Sequence, residues 1–176
     1  MKKLTISLCL ALTAMSMLLG PVAAKPVGTS TASPAQENRI YNHAEAGVQF
    51  QLPKGWKATP DGEVIAVSTA DDSLQMVFWV PGEDTFDAAV RDLDKELDKT
   101  IKNIKTTDKG TSDTHNGMPH FSAGGTGEVN GTTIQWSVDV LAAKKIVIIL
   151  TFAAPGVAEK HDAETLQFIN SNKKTP

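Results

Sequence analysis

The chain has 176 residues, a formal net charge of −3 at pH 7 and a single cysteine. A mildly acidic chain with no basic patch or basic amphipathic helix is a poor partner for nucleic acid. One cysteine excludes an intramolecular disulfide framework, and the length suits a single domain with a core of its own.

The N-terminal stretch reads as an export address. Lys2 and Lys3 form a basic start, Leu4 to Leu19 is apolar, Gly20-Pro21 breaks the run, and Val22-Ala23-Ala24 sets small residues before Lys25. This is the pattern of a secretory signal peptide spanning residues 1–24. The run is short for a membrane span, no basic stop-transfer segment follows it, and no later apolar segment is long enough to cross. The expected location is periplasmic or extracellular. Cys9 lies inside the apolar run, after Leu8, which argues against lipid attachment. With the signal removed no cysteine remains, and the loss of Lys2 and Lys3 leaves the chain more acidic. Residues 25–38 hold Val27 as their only large apolar side chain among Gly, Ser, Thr and Pro, and read as a flexible leader.

Ordered structure is expected from Arg39. Ile40 to His43 is a short strand candidate. Val48, Phe50 and Leu52 alternate with Gln49 and Gln51, the pattern of a half-buried strand that Pro53-Lys54-Gly55 ends. Trp56, just past that strand, is read as closing the rim of a core. Pro60-Asp61-Gly62 is a turn signal before a strand over Val64 to Val67. Asp71-Asp72-Ser73 is a hairpin turn leading to a strand over Leu74 to Val80. That strand is apolar on both faces, so both are expected to be covered. Pro81-Gly82 stops it.

The clearest helix follows. Asp84 or Thr85 suits its N-cap, and Asp87 lies in the first turn, where the helix dipole favours a carboxylate. Phe86, Ala89, Val90, Leu93, Leu97, Ile101 and Ile104 recur at three- and four-residue steps. Asp87 with Arg91 and Asp98 with Lys102 are expected ion pairs on the solvated face.

Lys105 to Asn116 is polar and reads as an edge strand. Asn116-Gly117 and Asn130-Gly131 are hairpin signals enclosing a glycine-interrupted segment from Met118. Ile134, Trp136, Val138 and Val140 alternate with polar residues. Ile146 to Phe152 is apolar at six of seven positions and β-branched at five, so it is expected as a central strand buried on both faces. A second helix is expected over roughly Val157 to Asn172, and residues 173–176 read as a tail. Strands joined by hairpins, interrupted by one helix and closed by another, imply an α+β fold. The form expected is a three-layer α/β/α sandwich with a mostly antiparallel sheet, a single domain over residues 39–172.

The phrase Gly47-Val48-Gln49-Phe50-Gln51-Leu52-Pro53-Lys54-Gly55-Trp56 carries a resemblance. With the strand over Asp72 to Val80, the helix opening at Thr85-Phe86 and the Gly117 to Phe152 meander with its closing helix, it resembles the PsbP-like superfamily. That group includes the extrinsic PsbP protein of photosystem II, a Ran-binding nuclear import factor and DcrB-type bacterial secreted proteins. The resemblance implies an antiparallel sheet between helices and, for most members, no catalysis. The missing lipid-attachment cysteine departs from the tethered members.

Residues suited to chemistry are few. Asp113, His115 and His120 are close enough in sequence to share a metal site, but a His-x4-His spacing across a turn is not a usual zinc arrangement. Solvated or hydrogen-bonded histidines are the simpler reading, for His43 and His161 too. Gly124-Gly125-Thr126-Gly127 lacks the strand-to-helix context of a phosphate loop and suits a bend or bulge. No serine has a nucleophile-elbow context. The expected function is therefore an exported, soluble, non-enzymatic module that binds an envelope or periplasmic protein. No cofactor, nucleic acid or retained membrane span is expected, and no catalytic residue. The alternative is a metal- or small-ligand-binding periplasmic protein using Asp113, His115 and His120.

Overall fold

The computed structural model describes residues 39–176; the signal-peptide and leader readings, with Cys9, lie outside them. Ten strands and two α-helices follow in the order β1 (Arg39–His43), β2 (Val48–Leu52), β3 (Lys57–Asp61), β4 (Val64–Ser68), β5 (Leu74–Trp79), α1 (Phe86–Leu97), β6 (Lys102–His115), β7 (Met118–Val129), β8 (Thr132–Ala142), β9 (Ile146–Ala153), α2 (Asp162–Ser171) and β10 (Lys173–Lys174). A one-turn 3-10 helix, Ala158–His161, leads into α2.

Seven strands form one sheet in the order β3-β4-β5-β9-β8-β7-β6, and β1, β2 and β10 form a second, with β2 in the middle. Every neighbouring pair is antiparallel. Strand β9 lies between β5 and β8, and all eight of its residues are buried, as its unbroken apolar run requires. Its two faces meet different neighbours. Val147 and Ile149, with Met76 and Phe78 of β5, join Val48, Phe50 and Leu52 of β2 and Phe168 of α2 in one core. On the other face Ile148 and Leu150 lie beside Trp79 and Val77 of β5 and Val140 and Val138 of β8. Helix α1 lies against β8, burying Ala89, Leu93 and Leu97.

The α+β, mostly antiparallel expectation describes this molecule, and the second sheet adds to it. Lys173 and Lys174 pair with Gln49 and Val48, so they are strand rather than tail. Strand β3 has no large apolar residue to announce it, and it incorporates Pro60 and Asp61, leaving Gly62-Glu63 as the turn. Helix α1 is shorter than its apolar period. It ends at Leu97, and β6 begins at Lys102 with Asn103 at φ 52°, so Ile104 is strand, while Ile101 between them stays fully buried. The Thr85 side chain caps α1 by accepting the Ala88 N–H at 3.3 Å. The surface ion pairs are Asp92 with Arg91 and Lys95, and Glu96 with Lys99, in place of the expected spacings. The Lys102 ammonium instead donates to the Asp98 carbonyl.

At the β4–β5 turn, hydrogen bonds from Thr69 and Ser73 hold the Asp71 carboxyl well below the usual carboxylate range. The glycines of β7 accommodate bulges in the neighbouring strand: β6 shifts register three times against β7. A Cβ on Gly125 would sit 2.1 Å from the Lys105 carbonyl oxygen, and one on Gly127 would sit 2.3 Å from Ile101. The bend reading of this segment therefore places the irregularity on the partner strand.

Ile148 is the sharpest test of β9. Ile148→Asp buries a carboxylate with no partner between β5 and β8. The variant is expected to lose its cooperative thermal transition and near-ultraviolet circular dichroism; a native spectrum would refute the central-strand assignment.

Candidate functional site

Two Asn-Gly turns build the site. Asn116 and Gly117 adopt φ of 47° and 75°, and Asn130 and Gly131 adopt 51° and 77°. Positive φ at both central residues is the tight hairpin geometry that matches strand twist, and it pins the register of β6, β7 and β8. Asp113 then lies directly opposite His120, and Asp139 lies opposite Ser122, one diagonal step from His120 on the same face.

Both carboxylates reach the imidazole. His120 Nδ1 is 2.7 Å from Asp113 Oδ1, and Nε2 is 2.9 Å from Asp139 Oδ1. The side chains of His120 and Asp139 are 9% and 12% exposed, whereas that of Asp113 is 61% exposed. An ionised carboxylate can only accept hydrogen bonds, so two of them call for a ring that donates from both nitrogens. The hydrogen bond to Asp139, opposed by burial and reinforced by Asp113, raises the His120 pKa above its usual value. The three residues form a hydrogen-bonded brace across three strands.

This arrangement decides what the ring can do. A general base needs a nitrogen lone pair, and a metal ligand needs the same. Here both nitrogens are engaged. Among the described residues no Ser or Thr side chain hydrogen-bonds to a histidine, and no group of three or more His, Cys, Asp or Glu is arranged to hold a metal ion.

The other candidates are placed nearby or elsewhere. The His115 ring is 5.5 Å from that of His120, centroid to centroid, yet its Nε2 turns to the Ile169 carbonyl at 2.9 Å. Asn116 Nδ2 donates to the carbonyls of Asn170 and Asn172, at 2.9 and 2.8 Å. The β6–β7 turn thus caps the C-terminal end of α2, whose last carbonyls lack helical partners. His43 Nε2 binds the Glu63 carbonyl at 2.8 Å, and His161 pairs with Glu164 at 2.7 Å. Trp56 is buried, stacked on Phe168 at 5.9 Å. Met118 and Trp79 are buried too and form no surface patch.

Of Asp113, His115 and His120, grouped by sequence proximity, Asp113 and His120 bond directly, while the His115 ring lies beside them and bonds elsewhere. The member that proximity missed is Asp139, at a polar position of the alternating β8 pattern. The two Asn-Gly turns were the available signal, because together they project Asp139 onto the His120 face.

No family model and no curated protein matches the chain. Solved structures do. The solution structure of the cyanobacterial PsbP, CyanoP, from Synechocystis superposes with a TM-score of 0.57 at 11% identity, covering 88% of this chain and 99% of that one. LpqN of Mycobacterium tuberculosis, described as involved in cell envelope biogenesis, gives 0.57 at 14% identity, covering 80% and 91%. A Bacteroides thetaiotaomicron protein gives 0.53 at 12% identity, covering 80% of this chain and 50% of that one. At these identities the likeness speaks for the fold: the chain has the PsbP-like architecture.

The His120 brace has a pH signature. A histidine whose folded pKa is raised contributes stability fully below its unfolded value, about 6.5, and loses it as pH rises through the folded value. The urea midpoint is therefore expected to fall as pH climbs above about 6.5. His120→Gln is expected to remove that part of the pH dependence. A wild-type midpoint that is flat or rises over that window would refute the charged brace.

Proposed function

We propose that the protein is exported and acts without catalysis, as a module that binds another protein of the periplasm or cell envelope. The observation that carries this reading is the double engagement of His120. The His120 cluster is spent on holding strands together, with no nitrogen left for substrate or metal. The export pattern at the N-terminus supports it, as does the PsbP-like fold, one of whose bearers is described as involved in cell envelope biogenesis. Among the described residues no helix is long and apolar enough to cross a membrane. We also read the fold as layered, with α1 on one face of the seven-stranded sheet and α2 with the small sheet on the other. That layering leaves the outer face of the small sheet open to a partner.

One observation favours a second reading, a metal- or small-ligand-binding protein: the His115 ring lies beside the bonded Asp113 and His120. Calorimetric titration with zinc, manganese and calcium separates the two. The interaction reading expects no binding tighter than about 10 μM. Tight binding that disappears in the His115→Ala, His120→Ala double variant would replace it with the metal reading. Its positive arm is capture of cross-linked envelope proteins by the tagged chain. Saturable recovery of a defined partner, competed away by untagged protein, is expected; recovery of none would sink the proposal.

A further inference from the structure

A groove of about 420 Å³ opens where the small sheet, the end of α2 and the β6–β7 turn meet. Its volume lies within the roughly 300–1,000 Å³ typical of ligand sites. Its floor is the outer face of the small sheet. Ile40 pairs with Gln51 and Lys173 pairs with Gln49, so these four side chains share one face, opposite the one that sends Phe50 into the core. Asn116 and Asn170 stand at the rim.

Three properties of this groove point to a ligand. First, its polar groups are uncommitted: among the described residues, the side chains of Gln49, Gln51 and Asn170 and the ammonium of Lys173 make no hydrogen bond or ion pair. Second, no carboxylate lines it, although the chain as a whole carries −3, so locally the sign is positive. Third, its wall is held in place beforehand. Asn116 is tied to two carbonyls of the α2 end, and Ser171 accepts the Gln51 N–H at 2.8 Å while donating to Phe168 at 2.6 Å. A site whose walls need no ordering spends less of its interaction energy on binding.

The spacing selects the ligand. Gln49 and Gln51 are two residues apart on one strand face, about 6.5–7 Å. An extended peptide presents backbone amides on one side at that same repeat, and a carboxamide offers both the donor and the acceptor that a peptide group needs. At the Gln51 end, Ile40 is 63% exposed and offers an apolar contact. At the Gln49 end Lys173 offers a cation from β10, on the opposite side of β2 from Ile40, so the two lie about 12 Å apart. The C-terminal end of α2 at the rim carries partial negative charge, which disfavours a dianionic phosphate over a single carboxylate.

We propose that this groove binds an extended peptide segment bearing an apolar side chain four positions from a carboxylate. This rests on the interaction reading above and names where the partner docks. The carboxylate belongs either to an acidic side chain or to a chain terminus, and the test separates them. The ¹⁵N-labelled full chain is titrated with three capped peptides, each with leucine at the apolar position. One carries aspartate four residues on, one ends there in a free carboxylate, and one carries asparagine with an amidated end; inorganic phosphate is a fourth probe. The side-chain amide signals of Gln49, Gln51 and Asn170 are expected to shift with at least one carboxylate peptide, and the asparagine peptide to bind about fivefold or more weakly. Lys173→Met, at an exposed position, is expected to stay folded and to weaken the carboxylate peptide by a similar factor. No shifts up to about 5 mM, equal affinity for the asparagine peptide, phosphate binding as well as peptide, or indifference to Lys173→Met would each overturn the proposal. Partner capture that persists undiminished in Lys173→Met would overturn the groove while leaving the interaction reading standing.

Discussion

One side chain joins the two sheets and the second helix. Phe168 packs its ring against Phe50 of β2 at 5.1 Å, Trp56 at 5.9 Å and Phe78 of β5 at 5.6 Å, and it is fully buried. Phe50 in turn stacks on Phe78 at 4.8 Å and on Tyr41 at 5.7 Å. Aromatic pairs of this kind contribute roughly 0.5–1.5 kcal/mol each beyond the area they bury. Phe168 is the one fully sequestered residue of α2. Where α2 sits therefore depends on that ring finding its slot.

What depends on α2 is the geometry at its end. The last turn of the helix delivers the carbonyls of Ile169, Asn170 and Asn172 to His115 and Asn116, and the next residues add β10 to the small sheet. Polar contacts there follow from an apolar anchor one turn earlier. The His120 brace is set instead by the register of β6, β7 and β8. The two features lie side by side because β6 and β7 run from the brace directly into the turn that caps the helix.

Much of the fold was legible because it is written in burial. The alternation in β2 and β8, the two-sided apolar run of β9, the Thr85 cap and both Asn-Gly turns each carry a local signal, and each led to the right element. Strands β3 and β10 had none. Lys57-Ala58-Thr59-Pro60-Asp61 has no large apolar residue, and β10 is two lysines whose strand character comes entirely from pairing with Gln49 and Val48. The end of α1 was misplaced because Ile101 and Ile104 continue its apolar period after the helix has stopped at Leu97. The site divides the same way. Asp113 and His120 were close in sequence, whereas Asp139 joins them only through two hairpins in succession. The second sheet, and with it the outer face bearing Gln49, Gln51 and Ile40, is a tertiary fact that no periodicity expresses.

The outermost strands of the large sheet have a further consequence. An unpaired strand edge offers a template on which another chain can add. Here one edge is β3, broken by a proline, and the other is β6, a long polar strand whose three register shifts put its outward amide groups out of step. A straight strand laid against β6 would leave several of those groups unmatched. The glycines of β7 that make room for those shifts thus also serve a purpose outside the molecule. They give the sheet an irregular edge that a straight strand matches poorly.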